Sequence, residues 1–191
     1  AFGTGWFDYD LDGDLDLYAV NGAVKAVDAL VDKGDAYPYS MPSQLFENQG
    51  GRYKEVDGGA GFQKPAISRG SVDADLDNDG DPDLLINDLN GPLRLLLNQT
   101  DNPRSWIGFR ILHKETGSDW IGARVALLKN DVPVAWRRVR TDGSYCSARD
   151  PRVVFGLKNL DFDSVWIVLP DGTRRSIGAE ARPGEYNTLR L

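Results

Sequence analysis

The sequence predicts an all-β fold, and three features of the chain indicate it. Short apolar segments recur from end to end, and turn residues such as Gly, Asn, Asp and Pro separate them. An acidic segment that leads into an apolar run occurs twice in the first half, which is the pattern of a repeat. In the second half the repeat stops and six more strand-like segments follow, as in a small sandwich or barrel.

Residues 1–100 hold the two repeats. The acidic segments align at an offset of 67 residues, and a second matched piece, which ends in Asn48 and Asn98, aligns at an offset of 50. The first repeat therefore carries about 17 extra residues within 22–41, where we expect a short helix over 24–32 or a loop. The predicted strands of this part are 15–20, 43–49, 52–56, 83–88 and 94–99.

Residues 101–191 form the second predicted domain. Its strand-like segments fall between turns such as "NDVP", "TDGS" and "PDGT". We place the boundary near residue 101, because Asn102 and Pro103 suit a linker. The predicted strands are 106–112, 123–128, 134–141, 152–157, 164–169 and 186–191.

Charge is divided unevenly between the two parts. The chain of 191 residues has a net charge of −7, made of −11 in residues 1–100 and +4 in residues 101–191. The acidic half argues against a nucleic-acid partner, and the basic excess of the second half is too small to indicate one. No apolar run is long enough to predict a transmembrane helix. The single cysteine, Cys146, leaves the redox compartment open.

The repeated acidic segments have the spacing of a metal-binding loop. In the first acidic loop (8–16) and the second acidic loop (75–83), Asp stands at positions 1, 3, 5, 7 and 9 and Gly at position 6. Carboxylates this close repel one another unless a cation lies between them. Oxygen donors at alternate positions resemble an EF-hand calcium loop, and the lack of thiol and imidazole donors argues against zinc or copper. We therefore predict two Ca²⁺ sites. Their candidate ligands are Asp8, Asp10, Asp12, Asp14, Asp16, Asp75, Asp77, Asp79, Asp81 and Asp83.

These loops differ from EF-hands at position 12, which is apolar in both loops where the EF-hand has Glu. Position 9, Asp16 or Asp83, is therefore expected to close the coordination shell with both carboxylate oxygens. Position 7, Asp14 or Asp81, is expected to offer its backbone carbonyl while its side chain faces solvent. Asp73 lies just outside the second loop and is expected to contact the ligands without binding the ion itself.

Two known families resemble this chain. The strings "DYDLDGDLDLYAVNG" and "DADLDNDGDPDLLIND" resemble FG-GAP (VCBS-type) repeats, and "QLFENQGGRYKEVDGGAGF" is similar to the segment between such loops in the cartilage acidic protein-like family. The strings "WIGFRI", "WIGARVAL", "VRTDGSYCSARDPRVVFGL" and "VWIVLPDGT" resemble the ASPIC/UnbV domain that follows such repeats. The resemblance covers almost the whole chain. It implies partial β-propeller blades with calcium loops, followed by a small β-sandwich-like domain.

The resemblance also implies open sheet edges. A propeller of this type has about seven blades, and this chain supplies roughly two, so it cannot close a ring alone. Exposed strand edges invite pairing with other strands. We therefore expect one of three arrangements: a chain that is the C-terminal part of a larger propeller protein, repeats that pack on the second domain, or self-association through the open edges.

No catalytic motif is visible in the sequence. The nucleophile-elbow, zinc-protease, P-loop and dinucleotide patterns are absent, and no motif connects His113 with Cys146. A group of arginines in the second half could bind an anionic glycan or a carboxylate, although an ordinary solvated strand face is the simpler interpretation. These arginines are Arg137, Arg138, Arg140, Arg149 and Arg152.

Two functions from different classes compete. The leading hypothesis is a calcium-binding, non-catalytic module for binding or adhesion, secreted to the cell surface, the extracellular space or the periplasm. Millimolar Ca²⁺ outside the cell fills even weak sites. Its partner would be a protein, a glycan or another copy of the chain. The rival is an enzyme, or an accessory domain of one, that acts on a glycan or a small metabolite. A pocket that joins an acidic loop to Arg or His side chains would favour the rival.

Overall fold

The computed structural model describes residues 1–99, 105–177 and 181–191, and in this part the chain is almost entirely β. Strands account for 43% of it and helices for 4%, arranged in several sheets. The two helices have four residues each, α1 (Asp28–Val31) and α2 (Ala60–Gln63). Neither these helices nor any other described segment has the length and hydropathy of a membrane-spanning helix.

The first part of the chain forms two antiparallel sheets of consecutive strands. The first sheet has the order β1-β2-β3-β4 and the second has the order β5-β6-β7. Their strands are β1 (Gly3–Phe7), β2 (Asp16–Val20), β3 (Gln44–Asn48), β4 (Tyr53–Val56), β5 (Ser68–Ala74), β6 (Asp83–Asp88) and β7 (Arg94–Leu96). The two repeats therefore have the same connections, except that no described strand follows β7 in the place that β4 takes in the first sheet.

The acidic loops occupy equivalent places in the two sheets. The first loop connects β1 to β2, with Phe7 opposite Asp16, and the second connects β5 to β6, with Ala74 opposite Asp83. Position 1 of each loop thus follows directly on a strand, and position 9 begins the next one. The matched register brings the two ends of each loop side by side.

One small apolar core joins the two sheets. It contains residues from β1, β2, β3 and β6 together with Phe62 of α2. Tyr18, Val20 and Ile86 are 1% exposed or less. Alternation explains this burial, because successive residues of a strand point to opposite faces and the buried ones share a face. The core holds the strands from which both acidic loops emerge.

The second part of the chain is a sandwich-like pair of sheets around a larger core. One sheet has the order β10-β9-β12-β13 and the other the order β11-β8-β14, in which β14 runs parallel to β8. The strands are β8 (Trp106–Leu112), β9 (Arg124–Lys129), β10 (Val132–Arg138), β11 (Val153–Gly156), β12 (Ser164–Val168), β13 (Arg174–Ile177) and β14 (Tyr186–Arg190). Phe109, Phe155, Val125 and Ile167 are fully buried between them.

Several elements differ from the sequence-based expectation. The helix expected over 24–32 is only the single turn of α1, none of whose residues is buried, so it lacks an apolar face to pack. Strands β1, β5 and β13 and helix α2 were not predicted. In β5 the buried positions are held by polar residues, including Ser68 and Ser71, which hides the usual apolar alternation. The predicted boundary near residue 101 lies outside the described residues.

Candidate metal centre

Each acidic loop draws three carboxylates together. In the first loop, ligand oxygens of Asp8, Asp10 and Asp16 all lie within 4.8 Å of one another. In the second loop the same holds for Asp75, Asp77 and Asp79. The remaining predicted ligands lie outside these two groups. They are Asp12 and Asp14 in the first loop and Asp81 and Asp83 in the second. Both groups are arrangements that could hold a metal ion.

Position 1 is tied to the glycine at position 6 in both loops. The N–H of Gly13 donates to Asp8 Oδ2 at 3.1 Å, and the N–H of Gly80 donates to Asp75 Oδ2 at 3.0 Å. Both glycines have φ of +98°, a backbone conformation that side-chain-bearing residues rarely adopt. The glycine therefore allows the sharp turn that folds the loop back on its first carboxylate.

Position 9 is held by backbone N–H groups in both loops. One oxygen of each carboxylate accepts the N–H of position 2. The other accepts the N–H of an asparagine, which ends β3 in the first repeat and lies two residues beyond β7 in the second. The distances are 3.1 Å from Tyr9 and 2.8 Å from Asn48 to Asp16, and 2.8 Å from Leu76 and 2.9 Å from Asn98 to Asp83. The repeated asparagines of the sequence therefore brace the repeated loops.

The side chains at position 7 behave differently in the two loops. Asp14 is exposed, as expected. Asp81 is only 2% exposed, so the expectation that its side chain faces solvent was wrong. Trp106 of the second part of the chain lies so close to the neighbouring Gly80 that a Cβ there would overlap the indole ring, which closes this side of the second loop.

Burial makes the charged forms of several loop carboxylates costly. Burial raises the pKa of Asp8 and of Asp16 to about 7, against opposing effects that include Arg137 and backbone hydrogen bonds. Burial also raises the pKa of Asp10 and of Asp83. Asp8 is 6% exposed, and its Oδ1 is buried with no hydrogen-bond partner among the described residues. A buried, unpartnered carboxylate oxygen within a carboxylate group fits a hard cation such as Ca²⁺.

The second part of the chain packs directly on both acidic loops. Arg137 donates to the carbonyl of Gly13 at 3.0 Å and lies 3.8 Å from Asp8 Oδ2. Arg152 donates to the carbonyl of Asp75 at 2.8 Å and to Asn78 Oδ1 at 2.6 Å. The two loops are therefore covered from one side by basic side chains of the other half.

Asp73 also contacts this basic surface. Arg149 forms an ion pair with Asp73, and the hydroxyl of Tyr18 donates to Asp73 Oδ1 at 3.3 Å. Asp73 is buried and lies outside the carboxylate group of the second loop. Three of the five arginines in the predicted group thus contact the acidic first half of this same chain, rather than forming a solvated strand face.

A cavity of about 620 Å³ lies between the acidic loops and the second part of the chain. Asp8 and Asp75 line it from the loop side, and Arg137 and Arg138 line it from β10. Trp136 also lines the cavity and is 57% exposed. Arg138 is exposed and has no hydrogen bond or ion pair among the described residues. The cavity therefore combines an aromatic surface with one free guanidinium beside the carboxylates.

The fold and the site place this chain in a broad class of proteins: all-β proteins with acidic loops that could hold metal ions. Comparison with known proteins adds a family for one part of it. Residues 113–185 match the family described as ASPIC and UnbV, which supports the resemblance of the C-terminal part. The acidic loops lie outside the matched residues. A search of curated proteins found no match to the chain.

Sequence reasoning named Arg137 and Arg152 as possible binders of a carboxylate without placing them at the loops, and it missed Tyr186 and Gly156. Tyr186 and Gly156 donate hydrogen bonds to the loop carboxylates, and Arg137 and Arg152 bind loop carbonyls. The one available signal was electrostatic, since a half of net charge −11 precedes a half of net charge +4. Opposite charges of this kind favour contact between the halves, but they do not say which residues meet.

Proposed function

We propose that this chain is a calcium-binding, non-catalytic module for binding or adhesion that works outside the cytoplasm. One observation carries the proposal: the two acidic loops have the same place in their sheets, the same glycine turn and the same backbone hydrogen bonds to their carboxylates. Two ordinary solvated acidic loops would not be expected to have the same geometry. The buried Oδ1 of Asp8 adds a polar atom that a cation would satisfy.

Calcium suits these loops better than other metals. All candidate ligands are oxygens, which Ca²⁺ accepts in numbers of six to eight with flexible geometry, whereas Mg²⁺ needs a strict octahedron. Three carboxylates per loop leave the remaining coordination positions to backbone carbonyls and water. When bound, the ion would neutralise the like charges of each loop. Its role would be structural, because it would lock the loop against the strands on both sides.

The proposed location follows from the expected affinity. Loops of this kind are filled by millimolar Ca²⁺ outside the cell, whereas resting cytosolic Ca²⁺ is too low for weak sites. The sequence supports the non-catalytic part, since it carries none of the common catalytic motifs. We infer a protein or glycan partner, or a second copy of the chain, for the surface that the loops stabilise.

A thermal melt tests the calcium proposal. The midpoint is measured in excess EDTA, in excess Ca²⁺ and in excess Mg²⁺. A ligand that binds only the folded state stabilises it by about 2.7 kcal/mol per site at one hundred times its dissociation constant. We expect a large rise in Ca²⁺ and a small one in Mg²⁺.

A variant with both loops disabled is the matched control. Asp10→Asn with Asp77→Asn removes one carboxylate from each loop group, and neither side chain lies in an apolar core. This variant should melt at the same temperature in EDTA and in Ca²⁺. Equal midpoints for the unchanged protein in EDTA and in Ca²⁺ would overturn the calcium proposal.

A second candidate function has one observation in its favour. The cavity of about 620 Å³ joins both acidic loops to arginine side chains, as a site for a glycan or a small metabolite would require. The chain would then bind such a ligand as an enzyme or as an accessory domain of one. Trp136 offers a surface on which a sugar ring can stack, and Arg138 offers a cation for a carboxylate.

Titration calorimetry of the calcium-loaded protein tests this second candidate. An acidic sugar such as galacturonate is compared with neutral galactose, and Arg138→Gln is compared with Arg110→Gln, an exposed arginine outside the cavity. Binding of the acidic sugar alone, lost in Arg138→Gln only, would support it. Equal heats for both sugars in all three proteins would contradict it.

A third proposal concerns the open edge of the second sheet. Among the described residues β7 has no partner on its outer side, and Leu93, Leu95 and Leu97 are 47–62% exposed there. These features favour a chain whose open β7 edge packs against further propeller blades or against another copy of the chain. Light scattering between about 1 and 100 μM tests it, because a stable monomer over this range would count against an edge that needs a partner.

A further inference from the structure

One oxygen of the carboxylate at position 1, Oδ2, is bound in the same way in both acidic loops. In each loop Oδ2 accepts the N–H of the position-6 glycine and one more hydrogen bond from the second part of the chain. Oδ1 accepts nothing from that part. The second part therefore contacts the candidate ligand itself, in both loops, at the corresponding atom.

In the second loop the extra donor is a side chain. The hydroxyl of Tyr186 donates to Asp75 Oδ2 at 2.6 Å. The Tyr186 ring is packed against Trp106, with ring centroids 5.1 Å apart, and the guanidinium of Arg152 lies 4.3 Å from its centre. The ring of Tyr186 is therefore packed between Trp106 and Arg152, and its hydroxyl binds the carboxylate of Asp75.

In the first loop the extra donor is the backbone. The N–H of Gly156, at the end of β11, donates to Asp8 Oδ2 at 3.0 Å. A side chain at Gly156 would overlap the backbone of Leu11, so only glycine allows this approach. The N–H of Lys158 also donates to the carbonyl of Leu11 at 3.1 Å. The first loop is therefore positioned by main-chain contacts with the segment after β11.

We propose that the second part of the chain sets the metal affinity of the two acidic loops, through Tyr186 on Asp75 and Gly156 on Asp8. This inference rests on the proposed calcium function. In both loops the second part of the chain binds Oδ2 and makes no hydrogen bond to Oδ1; in the second loop, Asp75 Oδ1 accepts the N–H of Asp79 at 3.1 Å. In the first loop Asp8 Oδ1 is buried and has no hydrogen bond among the described residues. Tyr186 and Gly156 act here as positioning residues, since neither is a metal ligand.

The coupling must act in both directions. If contacts with the second part raise the affinity of a loop for Ca²⁺, then Ca²⁺ strengthens those contacts by the same factor. Metal-free loops would hold Asp8 and Asp75 less firmly and loosen β11 and β14 with them. The chain would then have a calcium-dependent junction between its repeats and its C-terminal part.

Calcium titrations in single-loop backgrounds test the inference. Asp10→Asn leaves only the second loop intact, and Asp77→Asn leaves only the first. Tyr186→Phe keeps the ring and removes the hydroxyl. Partners that orient a metal ligand are worth about 10- to 100-fold in affinity. We expect Tyr186→Phe to weaken Ca²⁺ binding by about tenfold in the Asp10→Asn background and to leave the Asp77→Asn background unchanged.

Two further variants complete the design. Gly156→Ala is expected to give the opposite pattern, with weaker binding at the first loop only. Tyr37→Phe removes a hydroxyl from a tyrosine that is 62% exposed and lies outside both loops, and it should change neither affinity.

The outcomes separate the two proposals. If the unchanged protein binds no Ca²⁺, the proposed function fails and this inference fails with it. If the unchanged protein binds two Ca²⁺ ions and Tyr186→Phe binds them equally well, the inference alone is overturned. Equal weakening of both loops would also overturn it, because that is the sign of general destabilisation.

Hydrogen exchange on the unchanged protein gives an independent test that needs no variant. Ca²⁺ should slow exchange of the amides in β11 (Val153–Gly156) and β14 (Tyr186–Arg190) more than in β13 (Arg174–Ile177), the strand at the far edge of the other sheet. Equal protection of all three strands would contradict the coupling.

Discussion

Replacement of Arg94 by methionine should destabilise the first part of the chain severely. Arg94 of β7 and Asp88 of β6 form a buried ion pair, with side chains 11% and 6% exposed. Two parallel bonds join them, from Nε to Oδ2 at 2.6 Å and from Nη2 to Oδ1 at 3.1 Å. Methionine has a similar length and no charge. The change therefore leaves the carboxylate of Asp88 buried without its cation.

The size of the effect follows from what Arg94 binds. It also donates to the carbonyl of Gly61 at 2.6 Å and to Ser68 Oγ at 2.9 Å, so one side chain serves three separate segments. Breaking a buried ion pair from one side costs about 3–5 kcal/mol, because the remaining charge is uncompensated. For a chain of this size that corresponds to a fall in melting temperature on the order of 10 °C.

Urea unfolding measures this cost, with all proteins in excess Ca²⁺ so that the state of the acidic loops stays the same. The matched control is Arg110→Met, which breaks the ion pair of Arg110 with Asp119 at side chains 47% and 20% exposed. Exposed pairs contribute less than about 1 kcal/mol. A double variant, Arg94→Met with Asp88→Leu, should recover much of the loss because it removes the orphaned charge.

The reasoning would be refuted by two results. The first is a cost for Arg94→Met as small as that for Arg110→Met. The second is a double variant that is no more stable than Arg94→Met alone. Either result would mean that Asp88 finds water or another partner once the guanidinium is gone, and that the pair is not isolated from solvent.

Two further predictions concern the acidic loops. Gly80→Ala should lower the free energy of unfolding in urea by more than about 2 kcal/mol, because a Cβ there overlaps the Trp106 ring and φ of +98° adds backbone strain. The control is Gly50→Ala, where φ is +64° and a Cβ meets open space, so only the backbone strain remains. Equal costs for the two variants would contradict the contact with Trp106. In excess EDTA the melting temperature should rise as pH falls from about 8 to 6. The pKa of Asp8 and of Asp16 is about 7 in the folded protein and has its ordinary value of 3.8 in the unfolded chain, so between these values the folded protein binds more protons. The folded protein therefore loses stability as pH rises through that range. In excess Ca²⁺ the same scan should be nearly flat, since the metal-bound carboxylates are ionised in the folded protein as they are in the unfolded chain, and an identical slope in both buffers would contradict metal binding at these carboxylates.

Local pattern alone was enough to predict much of this protein. The alternation of apolar residues placed most strands, and the aspartates at alternate positions around Gly13 and Gly80 defined both acidic loops. These features are readable because each depends on near neighbours in the chain, where strand periodicity and turn chemistry act. The strings of the C-terminal part also pointed to the family that residues 113–185 match.

Strand β5 shows where local pattern fails. Its buried positions include Ser68 and Asp73, whose polar groups are satisfied by partners from distant segments. Asp88 binds Ser68, and Arg149 binds Asp73. The residue pattern of β5 does not indicate which distant residues bind its polar groups, so the strand could not be predicted from its own sequence.

Only the tertiary structure decided how the two halves meet. Tyr186 lies 111 residues from Asp75, and Gly156 lies 148 residues from Asp8, yet each donates a hydrogen bond to the first carboxylate of an acidic loop. The charge difference between the halves predicted attraction but not these pairs, because Coulomb attraction has little directional preference and hydrogen bonds have a strict one. The sequence by itself therefore determined that two acidic loops exist. The packing of the second part of the chain against them decided which oxygen of Asp8 and of Asp75 accepts a hydrogen bond from that part.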